Sequence, residues 1–208
     1  GDVYKRQVVG TGISGIGAVG LLNAVGAEVV LYDGNEKLKI EDIEKKLGTY
    51  KAEIVLGELT KELTDSSDLL VISPGVPIDS PVVKAFEAAG VPVWGEVELA
   101  YAFDKGKVLA ITGTNGKTTT TALVGQIVGA YHKDTFVVGN IGNPYTTEVL
   151  KSNKDSYTVA EISSFQLETV HEFHPLVSAI LNITPDHLNR HYTMDCYCLL
   201  YTSDAADD

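Results

Sequence analysis

The chain is 208 residues long, 44% of them hydrophobic, with a formal net charge of −12. That length suits one large or two modest α/β domains, each able to bury its own core. The acidity excludes a general affinity for nucleic acid and argues against an anionic membrane surface, and no apolar run approaches the ~20 residues of a membrane span.

In chain order, Val8 and Val9 close a short strand that enters a glycine-rich turn at residues 10–15. Ile16, Val19, Leu22 and Val25 recur at helical spacing until Gly26 stops the helix. Residues 28–32 read as the second strand, with Asp33 at its C-terminal end. A helix over 40–47, a strand over 53–56 and a buried strand over 69–72 follow. Ser73-Pro74-Gly75-Val76-Pro77 is a rigid loop, because two prolines fix φ and Gly75 permits a tight turn. Residues 81–89 form a helix that starts on a proline, 91–94 a strand, and 96–103 a further helix. A break at Asp104-Lys105-Gly106 opens a second series: strand 108–112, a loop, helix 118–128, then strands at 136–139, 157–161 and 176–181. The last of these reads as buried.

Such βαβ alternation predicts parallel sheets with helices on their faces. The expected architecture is α/β: a Rossmann-like parallel-sheet domain over 1–105, then a truncated P-loop-type α/β domain over 106–208. The pattern joins abruptly at 1–7 and lapses over 193–208, so both ends are read as foreign to it. Cys196 and Cys198 are the only cysteines, with no second pair to complete a metal site, and no secretory signal opens the chain. A cytoplasmic monomer is expected.

The strongest motif is Gly113-Thr114-Asn115-Gly116-Lys117-Thr118-Thr119, set between a strand and a helix. Glycines let backbone N–H groups turn around phosphate oxygens, and the helix N-terminus adds positive potential. Lys117 would neutralise the outer phosphates of ATP, and the Thr118 hydroxyl would coordinate Mg²⁺. Ile111 stands where the first glycine of the general phosphate-loop pattern belongs, so this loop is shorter at its start.

Gly10-Thr11-Gly12-Ile13-Ser14-Gly15 matches the dinucleotide pattern, and Asp33 lies 18 residues beyond Gly15, where a ribose-binding carboxylate is expected. Alone, this admits a dehydrogenase using NAD, a UDP-sugar-binding module, or a tight turn without ligand. Glu161 ends a strand of the second series and is placed to hold Mg²⁺, though a solvated charge fits its position equally well. Asn140, after Gly139, and His187, in Asn182-Ile183-Thr184-Pro185-Asp186-His187, each favour an unremarkable role singly. Together they put polar groups at the C-terminal ends of parallel strands, where α/β sheets bind ligands. His132, His171, His174 and His191 show no metal spacing, residues 36–46 read as a solvated helix face, and Trp94 reads as core.

The ordered set GTGISG, SPGVP, GTNGKTTT, GNIG, EISSFQLE and LNITPDHLNR, covering roughly residues 8–192, resembles the Mur ligases, within them the branch that adds D-glutamate during peptidoglycan synthesis. The resemblance implies UDP-N-acetylmuramoyl-L-alanine and D-glutamate as substrates, with ATP and Mg²⁺, and assigns the first domain to UDP in place of NAD. It places Ile13, Ser14, Asp33, Ser73, Pro74 and Gly75 on the uridine side. Gly139, Asn140, Ser163, Gln166 and His187 fall on the muramoyl side. Gly113 to Thr119 take the ATP phosphates, Lys117 and His187 serve catalysis, and Thr118, Glu161 and His187 serve the metals. The family's carbamylated lysine should follow His191 closely, yet residues 194–208 contain no lysine. The C-terminal ligase domain is also missing, so the resemblance implies that this chain alone does not turn over.

Overall fold

A computed structural model describes residues 5–140 and 143–202, and among them two all-parallel sheets. The first sheet is assembled from β1 (Lys5–Val9), β2 (Glu28–Asp33), β3 (Glu53–Leu56), β4 (Leu69–Ile72) and β5 (Val93–Gly95), in the order β3-β2-β1-β4-β5. Between and after these strands run α1 (Ile13–Ala24), α2 (Ile40–Leu47), α3 (Lys61–Asp65), α4 (Pro81–Ala88) and α5 (Glu96–Tyr101).

Successive strand residues face opposite sides of a sheet, and here both sides are apolar. Val8, Leu31 and Val71 pack with Leu21 and Leu22 of α1 and with Ile43 and Leu47 of α2. Their neighbours Val9, Tyr32, Leu70 and Ile72 pack under Val83 and Phe86 of α4. This explains why β4 is an unbroken apolar run: a central parallel strand has no wet face. Trp94 is partly buried against the first of these clusters, in keeping with a core role.

The second sheet contains β6 (Lys107–Thr112), β7 (Thr135–Gly139), β8 (Tyr157–Glu161) and β9 (Val177–Ile180), in the order β7-β8-β6-β9. Its helices are α6 (Lys117–Tyr131), α7 (Tyr145–Glu148), α8 (Ser164–Leu167), α9 (Leu188–His191) and α10 (Met194–Thr202). The expected strand at 176–181 is present, but it is not buried: Val177 is 52% and Ile180 44% exposed. β9 stands at the sheet's edge and, among the described residues, pairs with β6 alone, so Val177, Ser178 and Ile180 all meet solvent. Helices α3, α7, α8 and α9 escaped the sequence reading because four or five residues cannot display a helical period.

The expected break at Asp104 is an anchored turn. Its Oδ2 accepts from the hydroxyls of Tyr145 (2.7 Å) and Thr158 (2.8 Å), and Oδ1 from the Gly106 N–H (2.7 Å). Of the segments read as foreign, Lys5 to Gln7 extend β1 and 194–202 form α10, while 1–4 and 203–208 lie outside the described residues.

Candidate active site

The chain leaves β6 through Gly113 and enters α6 at Lys117, with Gly113 at φ 128° and Gly116 at φ 86°. Both values lie where a side chain is disfavoured. A Cβ on Gly113 would also sit 2.9 Å from the Asn182 carbonyl oxygen. No side chain caps α6, and its first turn holds no acidic residue, so the amides there keep their positive potential for an anion. Thr118 and Thr119 are exposed at this turn. The Lys117 ammonium folds back onto its own loop, donating to the carbonyls of Gly113 (2.7 Å) and Thr114 (3.0 Å).

Beside this loop the register pairs Ile111 of β6 with Glu161 of β8, and Gly139 of β7 with Glu161. The Asn140 side-chain amide donates to Glu161 Oε1 (3.1 Å), and its backbone N–H to the Glu161 carbonyl (3.0 Å). Gly139, at φ 105°, must lack a side chain because a Cβ would approach that carbonyl to 2.2 Å. The other carboxylate oxygen, Glu161 Oε2, is buried and has no hydrogen-bond partner among the described residues. An orphaned anionic oxygen is costly unless something binds it, and an oxygen of this type suits a hard divalent cation. Asn140 and Glu161 are therefore brought together. Residues 141–142 of the GNIG motif lie outside the described residues.

His187 adopts left-handed backbone geometry at φ 50°, opening α9. Its half-exposed ring packs against Phe165, centroids 4.9 Å apart, with Nε2 3.6 Å from Asp186. Ser163 and Gln166 turn towards each other. The Gln166 side-chain oxygen accepts from the Ser163 N–H (2.9 Å) and hydroxyl (3.0 Å), completing a capping box at α8. Among the described residues no three His, Cys, Asp or Glu side chains gather in metal-binding geometry.

At the first sheet, Gly10 has φ 104°, and a Cβ on Gly15 would lie 1.9 Å from the Gly10 carbonyl, so this glycine turn admits no side chain at either place. Asp33 accepts from the Thr11 hydroxyl (3.0 Å) and the Asn35 N–H (3.0 Å), which fixes the carboxylate beside the turn. Ile13 is 78% exposed at the start of α1, an apolar surface a flat ring could cover. Ser73 joins this turn from β4: its hydroxyl is buried, unpartnered, and 2.7 Å from where a Gly10 Cβ would stand. Pro74 and the exposed Gly75 continue that loop. Ser14 instead faces Glu96, whose carboxyl also meets the amides of Tyr145 and Thr146, and burial pushes that carboxyl above the usual range. Lys46, read as part of a solvated face, brings Nζ to 3.5 Å from the Thr11 carbonyl. A cavity of about 490 Å³ between Thr11, Ile13, Ile16, Lys46, Tyr50 and Pro144 adjoins the same turn.

Three further groups fasten the two sheets together. Glu98 of α5 accepts from the backbone N–H groups of His171 (2.8 Å), Glu172 (2.8 Å) and Phe173 (3.2 Å). Arg190 forks onto the buried Glu168 carboxylate and donates to the Val76 carbonyl (2.9 Å), tying α9 to the SPGVP loop. Tyr192 donates to Asp79 (2.5 Å) on the same loop. His191 lies buried between the Ser164 hydroxyl (3.0 Å) and Glu168 (3.3 Å), and desolvation holds its pKa down. The cross-sheet partners of Glu98 and Arg190 lie 73 to 114 residues away, so no local sequence signal could have revealed them.

Comparison with known proteins bears directly on this arrangement. Residues 4–95 match the Mur ligase MurD-like N-terminal domain, and residues 111–199 the Mur ligase middle domain. The UDP-N-acetylmuramoylalanine–D-glutamate ligase of Lachnospira eligens is 74% identical over 191 residues, which is 92% of this chain and 42% of that protein. Its counterpart from Lachnoclostridium phytofermentans is 60% identical over 194 residues, 93% of this chain and 43% of its own. The crystal structure of a UDP-N-acetylmuramate:L-alanyl-gamma-D-glutamyl-meso-diaminopimelate ligase from Neisseria meningitides shares the fold, with TM-score 0.60 and 16% identity over 96% of this chain and 67% of that one. The chain thus spans less than half the length of the curated relatives it matches. Two domain matches in sequence order, each on its own parallel sheet, show that the chain carries the N-terminal and middle domains of the Mur ligase family.

Proposed function

We propose that this chain serves the ATP-dependent addition of D-glutamate to UDP-N-acetylmuramoyl-L-alanine, the reaction named in its relatives. The observation that carries the reading is the orphaned Glu161 oxygen one strand from the Gly113–Thr119 loop, with Asn140 holding its twin. In this reading the alanyl carboxylate attacks the γ-phosphorus of ATP, giving an acyl phosphate and ADP. The D-glutamate amine then adds to the acyl carbon, loses a proton, and expels inorganic phosphate through a tetrahedral intermediate.

The chain's own residues supply charge and position, and no protein nucleophile is required. Lys117 leaves its loop carbonyls to meet the outer phosphates, offsetting repulsion between a carboxylate and a triphosphate. Mg²⁺ would supply Lewis-acid charge neutralisation there, held by Glu161 and the Thr118 hydroxyl, with His187 toward a second ion. Asp33, Ile13 and the residue 73–75 loop receive the uridine end, Gly139 and Asn140 the muramoyl end. Ser14, Ser163 and Gln166 act at one remove, since their polar groups are engaged within the protein.

Calorimetry tests the assignment: UDP-N-acetylmuramoyl-L-alanine should bind and NAD should not. The reverse result would replace the ligase reading with a dehydrogenase.

A further inference from the structure

Asn182 lies just beyond β9 and makes three hydrogen bonds to the phosphate loop. Its carbonyl oxygen accepts from the Thr114 N–H (2.9 Å), its side-chain Oδ1 from the Asn115 N–H (2.9 Å), and its side-chain Nδ2 donates to the Asn115 carbonyl (2.9 Å). A carboxamide that accepts from and donates to the same residue's main chain replaces one rung of a sheet ladder. Contact continues on either side. The Thr184 N–H donates to the Thr114 hydroxyl (2.9 Å), and the Gly113 α-carbon leaves no room for a side chain beside the Asn182 backbone.

The loop has reason to need such a partner. Ile111, in the place of the first glycine of the general pattern, remains within the sheet and pairs with Glu161 and Ala179. Only residues 113–116 connect β6 to α6, and two of them hold positive φ. So short a loop cannot wrap itself around a phosphate and be stiffened by its own turns. An external group must hold it in shape before the ligand arrives, which lowers the ordering cost of binding.

We propose that Asn182 is the positioning residue of the phosphate loop, holding Thr114 and Asn115 so that the α6 amides and Lys117 converge on a triphosphate. This rests on the triphosphate reading of the loop given above. Its amide is needed at both ends. An aspartate would still accept from the Asn115 N–H, but would set a carboxylate oxygen against the Asn115 carbonyl and near the incoming phosphates.

The test is calorimetric titration of the 208-residue chain with Mg·ATP, and separately with UDP, for the unaltered protein, Asn182→Ala and Asn182→Asp. Asn182→Ala should weaken Mg·ATP about tenfold, the loss of roughly one charge-adjacent hydrogen bond, and leave UDP within about twofold. Asn182→Asp should bind Mg·ATP no better than the alanine variant. Hydrogen exchange at the Thr114 and Asn115 amides should accelerate in Asn182→Ala without ligand. Unchanged Mg·ATP affinity in Asn182→Ala, recovery in Asn182→Asp, unchanged exchange, or a parallel loss of UDP binding would each overturn the proposal. Failure of the unaltered chain to bind Mg·ATP would remove the triphosphate reading and this inference together. Normal binding with an indifferent Asn182 would remove this inference only.

Discussion

The two sheets follow one recipe of parallel strands and crossover helices, yet they differ in how far their apolar surface is covered. In the first sheet, β1 and β4 are central and both faces are roofed, so that Val8, Leu70 and Val71 are at most 1% exposed. In the second, Leu123, Ile127 and Tyr131 of α6 stand 55%, 54% and 84% exposed, spaced one helical turn apart, and the β9 edge is open. An identical secondary-structure pattern therefore yields unequal stability, because hydrophobic stabilisation follows area removed from water and not strand count.

The largest effect should come from Leu70→Ala, expected to cost about 2–5 kcal/mol in chemical denaturation, against roughly 0.5 kcal/mol or less for Val177→Ala on β9. Similar losses from both would break the contrast. Next is Glu98→Ala. Removing the one acceptor for three backbone amides should cost about 2–3 kcal/mol and lower the melting of the second sheet more than the first. A single unshifted transition would show that the sheets do not lean on each other there.

A smaller effect is expected from Glu96→Gln. Burial raises the folded-state pKa of this carboxyl, so its contribution is fully present below the ordinary carboxylate pKa and is lost as pH rises through the folded value. The glutamine variant should accordingly be the more stable near neutral pH, with the advantage vanishing as pH falls below about 4.5. An advantage independent of pH would rule out desolvation as the cause. The smallest change is predicted for Tyr192→Phe. Its partner Asp79 is fully exposed, and the melting midpoint should not move measurably even though the hydrogen bond is short.

Much of the candidate site could be read before any coordinates. Gly10, Gly15, Gly113, Gly116 and Gly139 announce backbone geometry that other residues resist, and their spacing from strands places the first two at the C-terminal edge of the first sheet and the other three at that of the second. Strands 53–56, 69–72 and 157–161 and helix 40–47 have the bounds the pattern gave, because each carries a burial period or an apolar run. The capping box at Ser163 was missed, although the Ser-x-x-Gln spacing of Ser163 and Gln166 could have shown it. Lys46, Asn182 and Arg190 carried no local sign of their contacts.

The sequence by itself determined that the chain folds as two parallel α/β units with glycine turns before a helix in each, since periodicity and backbone permissiveness are local properties. Tertiary structure alone decided which polar atoms are paired and which, like Glu161 Oε2, are buried without a partner among the described residues. It also decided that β9 is an edge and that Glu98 and Arg190 bind the two units. The Glu98–His171 and Arg190–Val76 contacts join groups 73 or more residues apart, where desolvation and hydrogen-bond geometry, not local propensity, set the energy.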